Sequence, residues 1–321
     1  MSAAPVPLHP VLRAALDAAK ARGAPALSAG TPDEARRLVA AGRAVLGAGP
    51  EVGPVTARAI PRRDGSTLGA RLYRTADARE CGLVVYLHGG GWVVGTLDDF
   101  DIVSRTIAAR SGCAVVAVDY RLAPEHPFPA GLEDAIDASL WCAGACADLV
   151  GRRLPIVVAG DSAGANLATV AALALRREVT IALQALVYPV TDSDFDTPSY
   201  REHGTGLPLT ADDMAWFLRH YAPPAAWRDP RIAPLRTPDL SGAPPAWIGV
   251  AAHDVLRDEG EAYAARLADA GVAVTLRRFD DLAHGFVRMP NLVDSADRAL
   301  DALCAAIADA CASGNADLPP A

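Results

Sequence analysis

The sequence lacks a long uninterrupted apolar run, although 51% of its 321 residues are hydrophobic. A helix that spans a membrane needs about 20 consecutive apolar residues, and no segment reaches that length. The first thirty residues are interrupted by Pro, Arg, Asp and Lys, so they lack the continuous apolar core of a secretion signal. We therefore expect a soluble cytoplasmic protein without a membrane span.

Charged residues are scarce, at 21%, and Lys and Arg nowhere form a basic run. The formal net charge of -8 would repel phosphate backbones, which excludes nucleic acid as an expected partner. The six cysteines lack the C-x-x-C spacing of a zinc site. Cys142 and Cys146 are four residues apart and Cys304 and Cys311 seven apart, within helical patterns. Each pair predicts reduced thiols buried on one helix face.

The apolar residues that are present occur in short runs bounded by turns and separated by helix-length amphipathic segments. This repetition predicts an α/β fold, a mostly parallel sheet of about eight strands flanked by helices. Two alternating segments around Asp64-Gly65-Ser66 predict an opening hairpin. The predicted strands are 55–60, 68–74, 83–87, 114–118, 156–159, 182–188, 246–252 and 272–279.

Helical patterns precede the first strand and interrupt the later part of the sheet. Residues 10–22 and 32–46 predict two amphipathic helices, the second opened by a capping box at Thr31 and Glu34. Residues 190–245 form a long connection with one predicted helix, 211–221, which is typical of a lid. The predicted organisation is an N-terminal helical cap segment (1–50), a first core part (51–189), a cap or lid insertion (190–225) and a second core part (226–321), with 313–321 as a disordered tail.

The motif G-x-S-x-G surrounds Ser162, between a predicted buried strand and a predicted helix. In this context the motif is typical of a nucleophile turn, because glycines let a strand and a helix approach closely. The turn exposes the serine oxygen, and the helix N-terminus favours negative charge there. We therefore predict Ser162 as the nucleophile.

A second motif, His88-Gly89-Gly90-Gly91-Trp92, follows strand 83–87. Esterase oxyanion loops use this pattern, because backbone N–H groups must approach a carbonyl oxygen without an intervening Cβ. We predict that the amides of Gly90, Gly91 and Ala163 form the oxyanion hole. His88 is interpreted as a structural residue, because the order of a triad in this fold is Ser, acid, His.

Four histidines follow Ser162 and are candidate bases: His203, His220, His253 and His284. The first two fall in the predicted lid region, and His253 adjoins the strand end that should supply the acid. His284 lies in a loop after the last predicted strand, where this fold presents its base, and is the predicted base.

Asp254 is the predicted acid, because it is the first carboxylate after strand 246–252. Asp258 and Glu259 fall in the first turn of the next helix, where negative charge complements the helix dipole. Asp280 and Asp281, close to His284 in the chain, remain alternatives.

Five motifs together resemble the bacterial hormone-sensitive-lipase-like esterases, a branch of the α/β-hydrolases. The resemblance covers nearly the whole chain. Two positions depart from the family pattern, Val255 in place of a usual proline and Ala165 in place of a frequent glycine. The motifs are HGGGWVVGTLDDFD (88–101), DYRLAPEHPFPA (119–130), GDSAGANLA (160–168), DVLRDEG (254–260) and HGF (284–286).

The resemblance implies a serine carboxylesterase with the triad Ser162, Asp254 and His284, acting on short- to medium-chain esters. It implies no metal and no organic cofactor, a cap over the pocket, and a homodimer through an edge strand. Trp92, Trp216 and Phe217 are candidate pocket residues, although aromatic side chains at such positions are equally typical of a core. Two alternatives stay open, an amidase or deacetylase with the same triad and a non-catalytic ligand receptor.

Overall fold

A computed structural model describes residues 6–77 and 79–314. Its centre is an eight-stranded sheet in the order β1-β2-β4-β3-β5-β6-β7-β8, in which β2 alone runs antiparallel to its neighbours. This confirms the predicted α/β-hydrolase architecture. The strands are β1 Val55–Pro61, β2 Thr67–Tyr73, β3 Leu83–Leu87, β4 Ala114–Asp119, β5 Ile156–Asp161, β6 Ile181–Val187, β7 Ala246–His253 and β8 Val274–Ala283.

Helices cover both faces of the sheet. The helices are α1 Pro10–Ala21, α2 Pro32–Ala41, α3 Arg43–Leu46, α4 Asp101–Ser111, α5 Ala130–Val150, α6 Ala163–Leu175, α7 Pro198–His203, α8 Ala211–Tyr221, α9 Arg257–Asp269 and α10 Asp294–Gly314. Apolar side chains of α5, α6 and α9 form one core cluster with the sheet, and those of α4 and α10 form the other. The central strands β3 and β5 are buried along their whole length, which explains their continuous apolar sequence.

The structure differs from the sequence prediction at three places. The helix expected over 32–46 is broken at Gly42, whose amide donates to the Val39 carbonyl, and a second short helix then begins. Glycine is a poor residue for a helix interior, and the chain turns there. Helix α7 was not predicted from the sequence; Thr197 caps it and a proline occupies its first turn. Of the expected tail, 313 and 314 belong to α10, and 315–321 lie outside the described residues.

Within the described ranges, no helix has both the length and the apolar character needed to cross a bilayer. The cysteine pairs on α5 and α10 are buried, and the described structure contains no disulfide.

Candidate active site

Ser162 occupies a sharp turn between β5 and α6. Its φ of 55° is in the left-handed region, which is unusual for a residue with a side chain. Strand β5 and helix α6 approach so closely that a Cβ added at Gly160 would overlap the Gly164 carbonyl. A Cβ added at Gly164 would overlap the carbonyl oxygens of Leu87 and His88 at the end of β3. The glycines of the motif therefore have the steric role that the sequence indicated.

The structure brings Ser162, His284 and Asp254 into one hydrogen-bonded chain. Ser162 Oγ lies 2.9 Å from His284 Nε2, and His284 Nδ1 lies 2.7 Å from Asp254 Oδ2. The other Asp254 oxygen accepts from the Leu256 amide at 3.0 Å. Asp254 is almost fully buried, whereas His284 keeps 13% of its side-chain surface exposed. The ends of three parallel strands, β5, β7 and β8, supply these side chains, because carboxyl ends of parallel strands meet at one sheet edge.

The alternative acids are engaged elsewhere. Asp281 accepts from Ser295 Oγ, and Asp280 lies 3.4 Å from Arg278. Asp258 accepts from the Ser199 amide, and Glu259 accepts from the amide of Thr191.

The loop that carries Asp254 is supported at Val255. This side chain is buried, and its carbonyl accepts a hydrogen bond from Ser199 Oγ of α7 at 2.6 Å. The valine in place of proline is therefore held by packing and by a hydrogen bond.

The other candidate histidines do not contact Ser162 in the described part of the chain. His203 Nε2 lies 3.2 Å from Arg257, His253 Nε2 lies 3.0 Å from the Val6 carbonyl, and His220 packs edge-to-face against Trp216.

The glycine loop reaches the same cavity as Ser162. Gly90 and Gly91 have φ values of 121° and 58°, and Ala163 is the first residue of α6. Among the described residues, the amides of Gly90, Gly91 and Ala163 donate to no protein acceptor. Three backbone donors are thus left available beside the serine.

His88 has a structural environment. Its Nδ1 lies 2.7 Å from the Gly89 carbonyl, and its ring stacks between Phe100 and Tyr120. Burial lowers the pKa of His88 to about 4, so the ring is neutral at pH 7 and donates through Nδ1.

Asp161 is a supporting residue that sequence reasoning missed. Its Oδ1 accepts from the Gly89 amide at 2.8 Å and from Tyr86 Oη at 2.6 Å, so it joins the serine turn to the glycine loop. Burial raises the pKa of this carboxyl. A carboxylate inside the G-x-S-x-G motif was the available signal.

The cavity above Ser162 has a volume of about 200 Å³ and mostly apolar walls. Phe217 lines it, whereas Trp92 and Trp216 do not belong to its described lining. Trp92 instead stacks on Tyr221 with ring centroids 4.3 Å apart. Other lining residues come from the N-terminal segment (Leu27, Val39, Leu46), from the insertion (Pro208, Leu209, Met214) and from the turn after His284 (Arg288, Met289). In the described ranges no group of three or more His, Cys, Asp or Glu side chains is arranged to hold a metal ion.

A family model for the alpha/beta hydrolase fold matches residues 84–288, a range that contains all three hydrogen-bonded side chains. The chain belongs to this family, in its hormone-sensitive-lipase-like branch. It is a serine carboxylesterase.

Known relatives of the esterase extend over most of its length. It is 40% identical over 276 residues to the ethyl acetate hydrolase of Pseudomonas putida, covering 84% of this chain and 87% of that protein. It is 43% identical over 224 residues to carboxylesterase NlhH of Mycobacterium tuberculosis, covering 68% and 70%. The structure of a hyperthermophilic esterase from Pyrobaculum calidifontis superposes with a TM-score of 0.88 at 39% identity, covering 95% and 99% of the two chains.

Replacing Gly164 with alanine is expected to destabilise the esterase by about 3 kcal/mol, because the new methyl group overlaps two backbone oxygens that cannot easily move. Urea unfolding monitored by circular dichroism measures the change. The matched control is Gly144→Ala, also within a helix, where a Cβ meets nothing within 4 Å. Equal stability of the two variants would contradict the close approach at the serine turn.

Proposed function

We propose that Ser162, His284 and Asp254 are the catalytic triad of this esterase, and that it hydrolyses short- to medium-chain carboxylic esters through an acyl-enzyme on Ser162. The hydrogen-bonded chain from Ser162 Oγ to Asp254, with links of 2.9 and 2.7 Å, carries this proposal. Both links lie within the reach that proton transfer requires.

In the first step, Ser162 Oγ attacks the ester carbonyl while its proton passes to His284 Nε2. Asp254 accepts a hydrogen bond from Nδ1, which holds the required tautomer and stabilises the imidazolium. The buried position of Asp254 strengthens this interaction, because little water competes for the carboxylate.

The tetrahedral oxyanion accepts hydrogen bonds from the amides of Gly90, Gly91 and Ala163. Their freedom from other protein acceptors in the described chain supports this role. Asp161 acts as a positioning residue, since it holds the Gly89 amide at the start of the loop. Donors fixed before the reaction need no reorganisation when the charge develops.

His284 then gives its proton to the departing alcohol, and the acyl group stays on Ser162. Water enters, loses a proton to His284 and attacks the acyl-enzyme, after which Ser162 is released with its proton restored.

The preference for short and medium acyl chains is supported by the size of the cavity. Its volume of about 200 Å³ is below the roughly 300–1,000 Å³ of typical ligand pockets. The ethyl acetate hydrolase among the relatives is named for a small ester.

The proposed division of the chain is a cap of residues 1–50 and 190–225 and a core of residues 51–189 and 226–321, of which 1–5, 78 and 315–321 lie outside the described residues. Leu27 of the first cap segment and Met214 of the second line the cavity together. A hydrogen bond of 2.9 Å from the Ser28 amide to Asp213 joins the two segments.

We further propose a homodimer in the cytoplasm. Strand β8 is at the edge of the sheet and carries Leu276 with 41% exposure, so its free backbone groups suit pairing with a second copy. The buried thiols of Cys142 and Cys304 suit a reducing compartment. Light scattering should give twice the chain mass, and a single chain mass would contradict the dimer. Cell fractionation should recover the protein with cytoplasmic markers, and a membrane-bound fraction would contradict the cytoplasmic location.

Ser162→Ala is expected to reduce kcat on p-nitrophenyl esters by roughly 10⁵-fold or more, because it removes the hydroxyl that forms the acyl-enzyme. A substrate series from acetate to palmitate should give wild-type activity that peaks at the short chains. Ser313→Ala, on the distant end of α10, serves as the matched control and should behave as wild type.

Activity that survives in Ser162→Ala would sink the proposed nucleophile. An anilide series with the same acyl groups separates esterase from amidase: faster cleavage of the anilides would favour the amidase alternative.

Phe217→Leu should shift the preferred acyl chain to greater length, because the Phe217 ring packs on Gly91 and limits the cavity. We expect the ratio of kcat/KM for octanoate over butanoate to rise roughly tenfold, the effect of accommodating further methylenes. Phe195→Leu is the control, since Phe195 packs against Tyr200 and Trp227 away from the lining. An unchanged chain-length profile in Phe217→Leu would rule out this role.

A further inference from the structure

Arg288 is the one Arg or Lys side chain among the described residues that line the catalytic cavity. It belongs to the short 3-10 turn Phe286–Arg288, which begins two residues after the catalytic base. Its backbone amide donates to the Gly285 carbonyl at 3.2 Å, so the position of Arg288 relative to His284 is fixed by a local hydrogen bond.

The Arg288 guanidinium uses only part of its hydrogen-bonding capacity within the described residues. Its Nε donates to the Asp99 carbonyl at 3.1 Å, and its centre lies 4.9 Å above the Phe100 ring. Its Nη2 is buried without a hydrogen-bond partner, and no carboxylate of the described residues is within ion-pairing distance. A guanidinium carries five N–H donors, and here one of them is used.

The nearby carboxylates are already occupied by other groups. Asp99, whose carbonyl Arg288 contacts, has its carboxylate paired with Arg43 at 2.6 Å and bonded to Thr96 Oγ1 at 2.8 Å. Asp161, the carboxylate in the cavity wall, accepts from Tyr86 and from the Gly89 amide. The positive charge of Arg288 is therefore not neutralised by a direct protein partner.

A partly buried cation without a direct ion-pair partner is costly unless another group provides one. An arginine fork matches a carboxylate in shape and charge, and such hydrogen bonds are stronger than neutral ones. Because most of the cavity wall is apolar, a contact between Arg288 and a substrate carboxylate would discriminate strongly between charged and uncharged esters.

We propose that Arg288 is a specificity-determining residue that binds a carboxylate on the substrate, so that the esterase prefers esters carrying a second, ionised carboxyl group, such as monoesters of dicarboxylic acids. This inference rests on the proposed function, because the same cavity and the same Ser162 would carry out the reaction. The carboxylate takes no part in bond making; its contact with Arg288 orients the ester over the serine.

The test compares kcat/KM for matched pairs of esters. Monomethyl succinate, glutarate, adipate and suberate are each paired with the uncharged methyl ester of the straight-chain acid of similar length, and hydrolysis is followed in a pH-stat. A second arm places the carboxylate on the alcohol, using the butanoate ester of glycolic acid against butyl butanoate. The two arms distinguish a charge on the acyl part from a charge on the leaving group.

For at least one pair, we expect the ratio of charged to uncharged kcat/KM to fall about tenfold in Arg288→Gln, the effect of losing one charge-assisted hydrogen bond. Arg288→Lys should restore part of the ratio, because it keeps the charge. Arg298→Gln removes the same charge from an exposed ion pair with Asp294 on α10 and should leave the ratio unchanged.

An unchanged ratio in Arg288→Gln for every pair would overturn the proposal. Equal losses on charged and uncharged esters are one form of this outcome, and they would indicate that Arg288 only supports the cavity wall through Asp99 and Phe100.

Calorimetric titration of Ser162→Ala with the same pairs measures binding separately from turnover. Tighter binding of a charged ester that is lost in Ser162→Ala/Arg288→Gln supports the carboxylate site; equal binding of both members of each pair overturns it. Failure of the proposed function is recognised separately, by the absence of Ser162-dependent hydrolysis of the uncharged esters.

Discussion

The positive φ of Ser162 is the constraint on which the rest of the site depends. A residue with a side chain held in that region costs about 1–3 kcal/mol, and it persists only where its surroundings hold it. Here the Ser162 amide donates to the Val187 carbonyl at 2.9 Å, and the Ser162 carbonyl accepts from the Asn166 amide at 3.0 Å. The turn is thus held by β6 on one side and by the first turn of α6 on the other.

Buried polar contacts extend this constraint from the serine turn to the surrounding loops. Asp161 binds the Gly89 amide, and Tyr120 Oη donates to the His88 carbonyl at 2.8 Å, so the glycine loop is attached to the serine turn and to the residue that follows β4. Asn166 Nδ2 donates to the carbonyls of Val190 and Ile232, near the two ends of the long insertion. Because buried polar groups are costly when unpaired, these bonds strongly favour one arrangement of the loops.

The cavity wall depends on contacts between segments that are distant in the chain. Arg36 of α2 donates to the Val93 carbonyl at 2.9 Å and pairs with Glu125, which anchors the N-terminal segment beside the glycine loop. The Ser28 amide bonds to Asp213 across 185 positions of sequence. Substrate selection therefore depends on two cap segments, whereas the reacting groups sit on the sheet.

The sequence alone determined the features that depend on short-range backbone geometry. Local apolar patterning predicts the buried strands and the helices between them. The turn at Ser162 and the glycine loop follow from the need for residues without a Cβ. The sequence did not predict the helix break at Gly42 or the helix α7. Helices α3 and α7 are too short to give a periodic apolar signal. Only the tertiary structure decided which carboxylate meets His284, which aromatic residue reaches the cavity, and that Arg288 Nη2 lacks a hydrogen-bond partner. These properties depend on neighbours from distant strands and loops, and packing rather than local conformation brings those neighbours together.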